Sequence, residues 1–262
     1  MGIKLSYVNY LDDASPIESS SEQTNFPVEN VINPFRSKSW RSTIGQIEDQ
    51  YLRFDCGFQV RPTTLIITNE QKGIQLSPLA VIKLRGNNDG NWATPQCEHT
   101  ITWHESIITK LISPYFGSYR FWELYIDDPN NVANYIEIGN VFLGESVSFT
   151  SSDVKFGWKH KIVDDSDKTE SDGNEPWFDK KTLRDKIDFD MEYMNKIDWD
   201  ALQKMIRKVG KHKPFYVHLD PDLKISANQN ELCRYVRLQD TPDVPNVFLD
   251  MYNISLTLEE AV

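Results

Sequence analysis

The segment from Tyr119 to Gly144 constrains the fold of this chain more than any other, because two strand-like runs flank a turn within it. Asp127–Asn131 is dense in turn-forming residues, and residues 135–144 form the returning run. Period-2 alternation sends successive side chains to opposite faces of a sheet. The first run alternates between two sets of side chains: Tyr119, Phe121, Glu123 and Tyr125 in one, and Arg120, Trp122, Leu124 and Ile126 in the other. This pattern predicts two paired strands.

The length and composition of the chain predict two mainly β domains. The 262 residues exceed the roughly 250 at which a single hydrophobic core tends to split in two. The aromatic content of 12% suits β-sandwich cores, because aromatic side chains pack well on a pleated surface. The composition changes after Gly144, so we expect one domain over residues 1–147 and a second over residues 148–262.

Further strands are predicted in both halves. Asp185–Met194 alternates, with Ile187, Phe189, Met191 and Tyr193 on one face, which is typical of an antiparallel strand with one wet face. The other predicted strands have alternating or β-branched sequences and lie at residues 1–11, 51–57, 63–69, 80–86, 100–104, 213–219, 232–239 and 246–258. The second half therefore reads as a β-rich domain with one helix.

That helix is predicted over Asp198–Gly210, with Asp198 as its N-cap and Gly210 at its C-cap. Its apolar residues recur at helical spacing, which indicates core packing, with a partner-binding face as the alternative. The apolar residues are Trp199, Leu202, Met205, Ile206 and Val209.

The acidic segment Asp164–Pro176 has the composition of a calcium-binding loop but not its pattern. If Gly173 takes the invariant glycine position, the first ligand position falls on Lys168, which cannot coordinate a cation. We therefore expect a mobile surface loop there and no metal.

The net charge of −11 argues against a protein that coats nucleic acid, which needs clustered cations to neutralise phosphates. The basic segment Lys204–Lys213 fits a solvated helix end better than a nucleic-acid patch. The N-terminus lacks the pattern of a signal peptide, and no apolar run approaches a membrane span.

The cysteines and histidines predict neither disulfides nor a metal site. Cys56, Cys97 and Cys233 are widely spaced and form no CxxC pair, so we expect folding in a reducing cytoplasm. His99 and His104 would point to opposite faces of a strand, which makes them a poor metal pair.

No catalytic constellation stands out, so we expect a protein that is not an enzyme and uses no cofactor. The sequence has no GxSxG, HExxH, Walker or GxGxxG motif. The paired carboxylates Asp127 with Asp128 and Asp220 with Asp222 flank prolines, and turn formation explains them without chemistry.

The first 145 or so residues resemble the discoidin, or galactose-binding-like, jelly roll. Each segment is modest evidence, but their order is that of the family. The four segments are Phe26–Pro34 followed by Trp40–Ser42, then Tyr51–Gly57, then Leu84–Trp92, and finally Tyr119–Trp122 with Ile136–Gly139. The cysteine pair that joins the ends of animal extracellular members is missing here.

The sequences of residues 33–42 and 136–144 resemble instead those of tail and baseplate proteins of long-tailed bacteriophages. Residues 213–220 and 250–256 also resemble such proteins, but less specifically. This resemblance implies a structural protein of the virion. It would be made in the host cytoplasm and would assemble with other tail proteins, or with copies of itself in a ring. It implies neither nucleic-acid binding nor membrane insertion.

The alternative is a carbohydrate-binding module for adsorption to a host surface glycan, which needs exposed aromatic rings beside convergent polar groups. Trp40, Trp92 and Trp103 are the candidate stacking residues, although Trp40 and Trp92 could instead pack at the rim of the sandwich. The full candidate site is Trp40, Arg41, Asn87, Asp89 and Trp92.

Overall fold

The computed structural model describes residues 3–12, 14, 17–35, 37–69, 75–105, 107–112, 117–149, 158–170, 176–219, 232–243 and 245–261. The chain divides into two compact units. One, the N-terminal unit, contains Ser6–Ser146 together with residues 232–233. The other, the C-terminal unit, contains the remaining described residues from Val147 onward together with residues 3–5.

The N-terminal unit is built from two antiparallel sheets. One sheet has the order β1-β11-β5-β8 and the other the order β2-β4-β9-β6-β7, while β3 pairs separately with β10. The elements are β1 (Lys4–Asn9), β2 (Ile17–Ser19), a 3-10 helix (Val28–Ile32), β3 (Trp40–Arg41), β4 (Gln50–Val60), β5 (Thr64–Thr68), β6 (Val81–Asn87), β7 (Cys97–Ile101), β8 (Ile107–Leu111), β9 (Tyr119–Asp127), β10 (Glu137–Ile138) and β11 (Asn140–Ser148).

Both sheets send side chains into one shared hydrophobic core. Trp122, Leu124 and Ile126 of β9 are fully buried, so the alternation of residues 119–126 predicted the inward face correctly. Leu65 of β5 and Leu143 of β11 approach the same cluster from the other sheet. Each such side chain stabilises the fold by about 1.5–3 kcal/mol through burial. The predicted jelly-roll sandwich is confirmed.

The C-terminal unit is β-rich and carries one helix in its described part, as predicted. Its main sheet has the order β12-β15-β19-β17-β16, with β18 paired to β19, while β13 and β14 form a separate hairpin. The elements are β12 (Lys159–Val163), β13 (Asp167–Glu170), β14 (Pro176–Asp179), β15 (Arg184–Met194), α1 (Lys196–Val209), β16 (Phe215–His218), β17 (Cys233–Leu238), β18 (Asn246–Phe248) and β19 (Met251–Glu260).

The helix α1 begins earlier than predicted. Asn195, not Asp198, is its N-cap, and the Asn195 side chain accepts a 2.9 Å hydrogen bond from the Asp198 backbone N–H. Asp198 thus lies inside the first turn, where an acidic residue also complements the helix dipole. Gly210 is at the C-cap with a positive φ of 50°, as expected. Leu202, Met205 and Val209 are buried, in agreement with core packing.

Two further expectations in this unit were wrong. Tyr193 is 62% exposed with a positive φ of 56°, because the register of β15 against β19 shifts between Met191 and Met194. Part of the supposed acidic loop is ordered, since β13 pairs with β14. All eight residues of that hairpin are exposed, so no hydrophobic alternation could reveal it.

Candidate functional site

The structure separates the predicted site residues into two groups at opposite ends of the sandwich. Gln50 at the start of β4 pairs with Ile126 near the end of β9, whereas Asn87 at the end of β6 pairs with Phe121 near the start of β9. Turns 42–49 and 128–136 lie at the first end, which we call the loop end. The five candidates therefore do not form one site, which corrects the prediction.

Trp40 is a core residue. It is fully buried, and its indole Nε1 donates a 3.0 Å hydrogen bond to the Ser21 carbonyl. The idea that its ring is exposed for stacking on a sugar was wrong. Trp103 is also held inside, since it packs against the core and donates through Nε1 to the Leu76 carbonyl at 3.0 Å.

Asn87 and Asp89 build the turn between β6 and β7. The Asn87 side chain is fully buried; its Oδ1 accepts from the Asn88 backbone at 2.7 Å, and its Nδ2 donates to the Asn91 carbonyl at 2.6 Å. Asp89 Oδ1 accepts from the Asn91 backbone at 2.9 Å. These short side chains satisfy backbone groups locally, as Asn and Asp do in turns.

Trp92 lies half-buried on the outward face of the β4–β9–β6 sheet. The Arg53 guanidinium carbon is 5.4 Å from the Trp92 ring centroid and 3.7 Å from that of Tyr51. The contact between a guanidinium and aromatic faces is attractive. The Trp92 ring therefore packs against an arginine side chain and does not form an open surface for a ligand.

Beneath Trp92, five charged residues form what we call the ionic row. Neighbouring strands place them directly opposite one another with alternating sign, in the order Glu18, Arg53, Glu123, Arg85 and Glu98. The successive nitrogen–oxygen distances are 3.6, 2.7, 3.0 and 2.8 Å. A hydrogen bond from Lys83 and a second, smaller contribution from the hydrogen bond of Arg85 lower the pKa of Glu98 below its ordinary value.

The sequence analysis did not predict this row, although charged residues at the outward positions of the alternating strands could have indicated it. Glu123 stands between Phe121 and Tyr125 on the outward face of β9, and its side chain is only 2% exposed. A carboxylate is tolerated there because it accepts hydrogen bonds from Arg53 and Arg85. The row is a structural layer on this sheet.

Arg41 is the one predicted residue that presents polar atoms at the loop end. The pairing of β3 with β10 sets it opposite Glu137, whose side chain is 4% exposed. Glu137 Oε1 accepts a 2.7 Å hydrogen bond from the Ser39 hydroxyl. The Arg41 guanidinium carbon lies 3.8 Å from the Phe26 ring centroid and 5.0 Å from that of Tyr135.

The electrostatics of this group leave donors available. Arg41 Nε is 2.9 Å from Glu137 Oε2, which makes an ion pair by distance without a hydrogen bond of good angle. In the described part of the chain, the two terminal nitrogens of Arg41 form no hydrogen bond, and 17% of the side chain is exposed. The arrangement offers a guanidinium of fixed direction beside two half-buried rings. We call Phe26, Arg41, Tyr135 and Glu137 the loop-end cluster.

The other groups considered for chemistry have structural roles. Asp128 is fully buried and accepts from the Ser77 backbone at 2.8 Å and the Ser77 hydroxyl at 2.5 Å, as its turn role predicts. Asp220 and Asp222 lie outside the described residues. All three cysteines are free, and burial raises the pKa of the Cys56 thiol to about 12, which suppresses the thiolate.

The residues that the structure describes contain neither a metal-ligand cluster nor a membrane helix. Within the described ranges, no group of three or more His, Cys, Asp or Glu side chains could hold a metal ion. In the same residues, no helix is both long enough and apolar enough to cross a membrane.

No protein-family model matches the sequence, and no curated protein matches it either. Several solved structures are similar to part of this chain in structure. The family 32 CBM of NanJ from C. perfringens, in complex with galactose, is 13% identical, with 53% of this chain and 98% of that chain covered and a TM-score of 0.42. Chitosan-binding module 2 from Paenibacillus sp. IK-5, in complex with chitotriose, is 12% identical over 52% and 100%, with a TM-score of 0.42.

A further C. perfringens module, CpGH89CBM32-5, in complex with GalNAc-beta-1,3-galactose, is 12% identical over 53% of this chain and 100% of that chain, with a TM-score of 0.41. At these identities and TM-scores, the likenesses carry no argument about the ligand of this chain.

Proposed function

We propose that the N-terminal unit binds a glycan through the loop-end cluster, without turning it over. The observation that carries the proposal is Arg41, whose side chain is 17% exposed, is oriented by the buried Glu137 and lies against Phe26 and Tyr135. Sugars present hydroxyl oxygens to donors and apolar C–H faces to rings, so this combination suits them.

Rigidity favours such a site. The guanidinium is held by an ion pair and by contacts with two rings, so little side-chain entropy is lost when a ligand binds. Arginine also presents its donors in a planar fork, which bridges neighbouring oxygens of one ligand. The fold alone does not specify which sugar binds, since one fold hosts many functions.

Glycan-array binding of the full chain tests the proposal, with Arg41→Met as the site variant. Loss of a charge-assisted hydrogen bond, at about 1.5–3 kcal/mol, predicts weakening of about 10–100-fold. Arg120→Met is the matched control. Arg120 also has a carboxylate partner, Asp55 at 2.7 Å, and a nearby ring, Phe121 at 4.9 Å, but it lies at the other end of β9.

Three results would overturn the proposal: no glycan bound by the folded wild-type chain, equal binding by wild type and Arg41→Met, or equal loss in both variants. Circular dichroism of each variant checks that the fold is intact.

We also propose, as a second candidate, that the chain is a structural protein of a phage tail tip or baseplate that assembles with other tail proteins or with copies of itself. The observation that favours assembly is the β13–β14 hairpin, where Trp177 is 67% and Phe178 58% exposed. An isolated hairpin is marginally stable in water, and exposed aromatic residues are enriched at interfaces.

Light scattering after size exclusion tests this candidate. The wild-type chain is expected to form a defined oligomer, alone or with tail proteins encoded nearby, and Trp177→Ser with Phe178→Ser is expected to lower its mass. Exposed Tyr193→Ser serves as the control. A monomer that binds no tail protein, or an oligomer that the hairpin variant leaves unchanged, counts against this function of the hairpin.

A further inference from the structure

The C-terminal unit contains a small charged cavity that is separate from the loop-end cluster. Its volume is about 210 Å³, and it opens among β12, β15 and β19. Its charged lining consists of the cations Lys161, Arg184 and Lys186 and the anions Asp165, Asp185 and Glu259. The cavity is too small for a large ligand but has room for a compact polar group.

Two of the cations face each other without a carboxylate between them. Lys161 of β12 and Lys186 of β15 are directly opposite in the antiparallel register. Directly opposite side chains have Cβ atoms about 4.5–5.5 Å apart, and like charges in that arrangement destabilise a sheet. Glu259 of β19 is directly opposite Lys186 on its other side, but among the described residues it forms no ion pair with that lysine. In this part of the chain, the two ammonium groups therefore have no counter-charge in contact with them.

The nearby carboxylates are engaged by other cations. Asp165 forms an ion pair with Arg184, whose other terminal nitrogen is 3.8 Å from Glu259. Asp185 contacts Arg234 Nε at 3.1 Å, and its other oxygen contacts His160 Nε2 at 3.0 Å. Neither Lys161 nor Lys186 has an ion pair with any residue that the structure describes.

We propose that Lys161 and Lys186 hold a compact oxyanion in this cavity. Two ammonium groups on adjacent strands can each donate to oxygens of one phosphate, sulfate or carboxylate group, and such charge-assisted hydrogen bonds are the strong ones. The shared chemistry is a tetrahedral or planar oxyanion, whether free or attached to a sugar. This site is independent of the glycan proposal, because it uses other residues in the other unit.

The test is thermal unfolding of the full chain in inorganic phosphate against sodium chloride of equal ionic strength, which screens surface charge equally. A ligand at ten times its dissociation constant should raise the melting temperature by about 4 °C. Lys186→Gln and Lys161→Gln should abolish this rise. Lys204→Gln, which removes an exposed lysine of α1, should keep it.

A second readout locates the anion. Phosphate should shift the backbone amide resonances of β12 and β15 in a saturable way, and parallel titrations with sulfate and glucuronate distinguish a free inorganic ion from a sugar acid as the source. A melting temperature that phosphate raises no more than chloride would overturn the proposal. The proposal would also be overturned if phosphate raised the melting temperature of the two glutamine variants as much as that of the wild type. Saturable shifts confined to strands other than β12 and β15 would overturn it as well.

Discussion

Two rows of charged residues, one in each unit, share the same strand geometry but differ in charge balance. In both, outward side chains of adjacent antiparallel strands stand directly opposite one another. The ionic row of the N-terminal unit runs Glu18, Arg53, Glu123, Arg85 and Glu98. The row of the C-terminal unit runs Lys161, Lys186, Glu259 and Arg237.

The difference lies in the order of signs. Every neighbour in the ionic row has the opposite charge, so the row neutralises itself and can bury Glu123. In the second row, Lys161 and Lys186 are neighbours of the same sign. In an alternating row, each charge is neutralised by its neighbours. A like-charged pair is not, so an anionic ligand can stabilise it.

Removing the central charge of the ionic row should have the largest effect. Glu123→Gln leaves Arg53 and Arg85 as like-charged neighbours around a buried amide and removes two charge-assisted hydrogen bonds, so we expect a loss of about 2 kcal/mol in the free energy of unfolding. Urea denaturation measures this loss. Glu18→Gln, at the exposed end of the row, should change stability by less than about 0.5 kcal/mol. Equal effects of the two changes would mean that the row does not act as a buried layer.

Restoring alternation in the second row should stabilise the chain. Lys161→Glu produces the sign order of the ionic row, with an acid opposite Lys186, and should add about 0.5–1 kcal/mol in the free energy of unfolding. It should also abolish the stabilisation by phosphate. Lys204→Glu on α1 makes the same charge change away from the row and should add nothing. A loss of stability in Lys161→Glu would contradict the comparison.

The smallest effect is expected for a single half-exposed ion pair, that of Arg120 with Asp55. Hydrogen bonds from Arg120 lower the pKa of Asp55 below its ordinary 3.8, so this pair stabilises the fold above about pH 4 and the contribution is lost as the pH falls through the lowered value. Arg120→Met should therefore lower the free energy of unfolding at pH 7, and by less at pH 2. Urea titrations at both pH values measure it, and a cost independent of pH would assign the effect to packing.

The sequence was sufficient for those parts of the fold in which burial alternates. Residues 119–126 and the apolar positions of β15 up to Met191 fall on the predicted faces, because one side of each strand meets a core. The β13–β14 hairpin has no buried side, so its sequence carries no such signal.

The site was harder to predict than the fold, because it depends on strand direction and register. Arg41 and Trp40 are adjacent in sequence, yet one presents polar atoms at the loop end and the other is buried. Glu137, which orients Arg41, comes from a distant strand and is brought opposite it only by the β3–β10 pairing. Asn87 lies near the other end of β9 for the same reason.

The most direct test of glycan binding at the loop end is a titration of the isotope-labelled full chain with the glycan that binds most strongly on the array, followed by backbone amide resonances. The proposal predicts saturable shifts at residues 22–26, 41–46 and 134–137, with residues 87–92 unchanged. Saturable shifts centred on residues 87–92 or on the C-terminal unit, or no saturable shift at all, would contradict it.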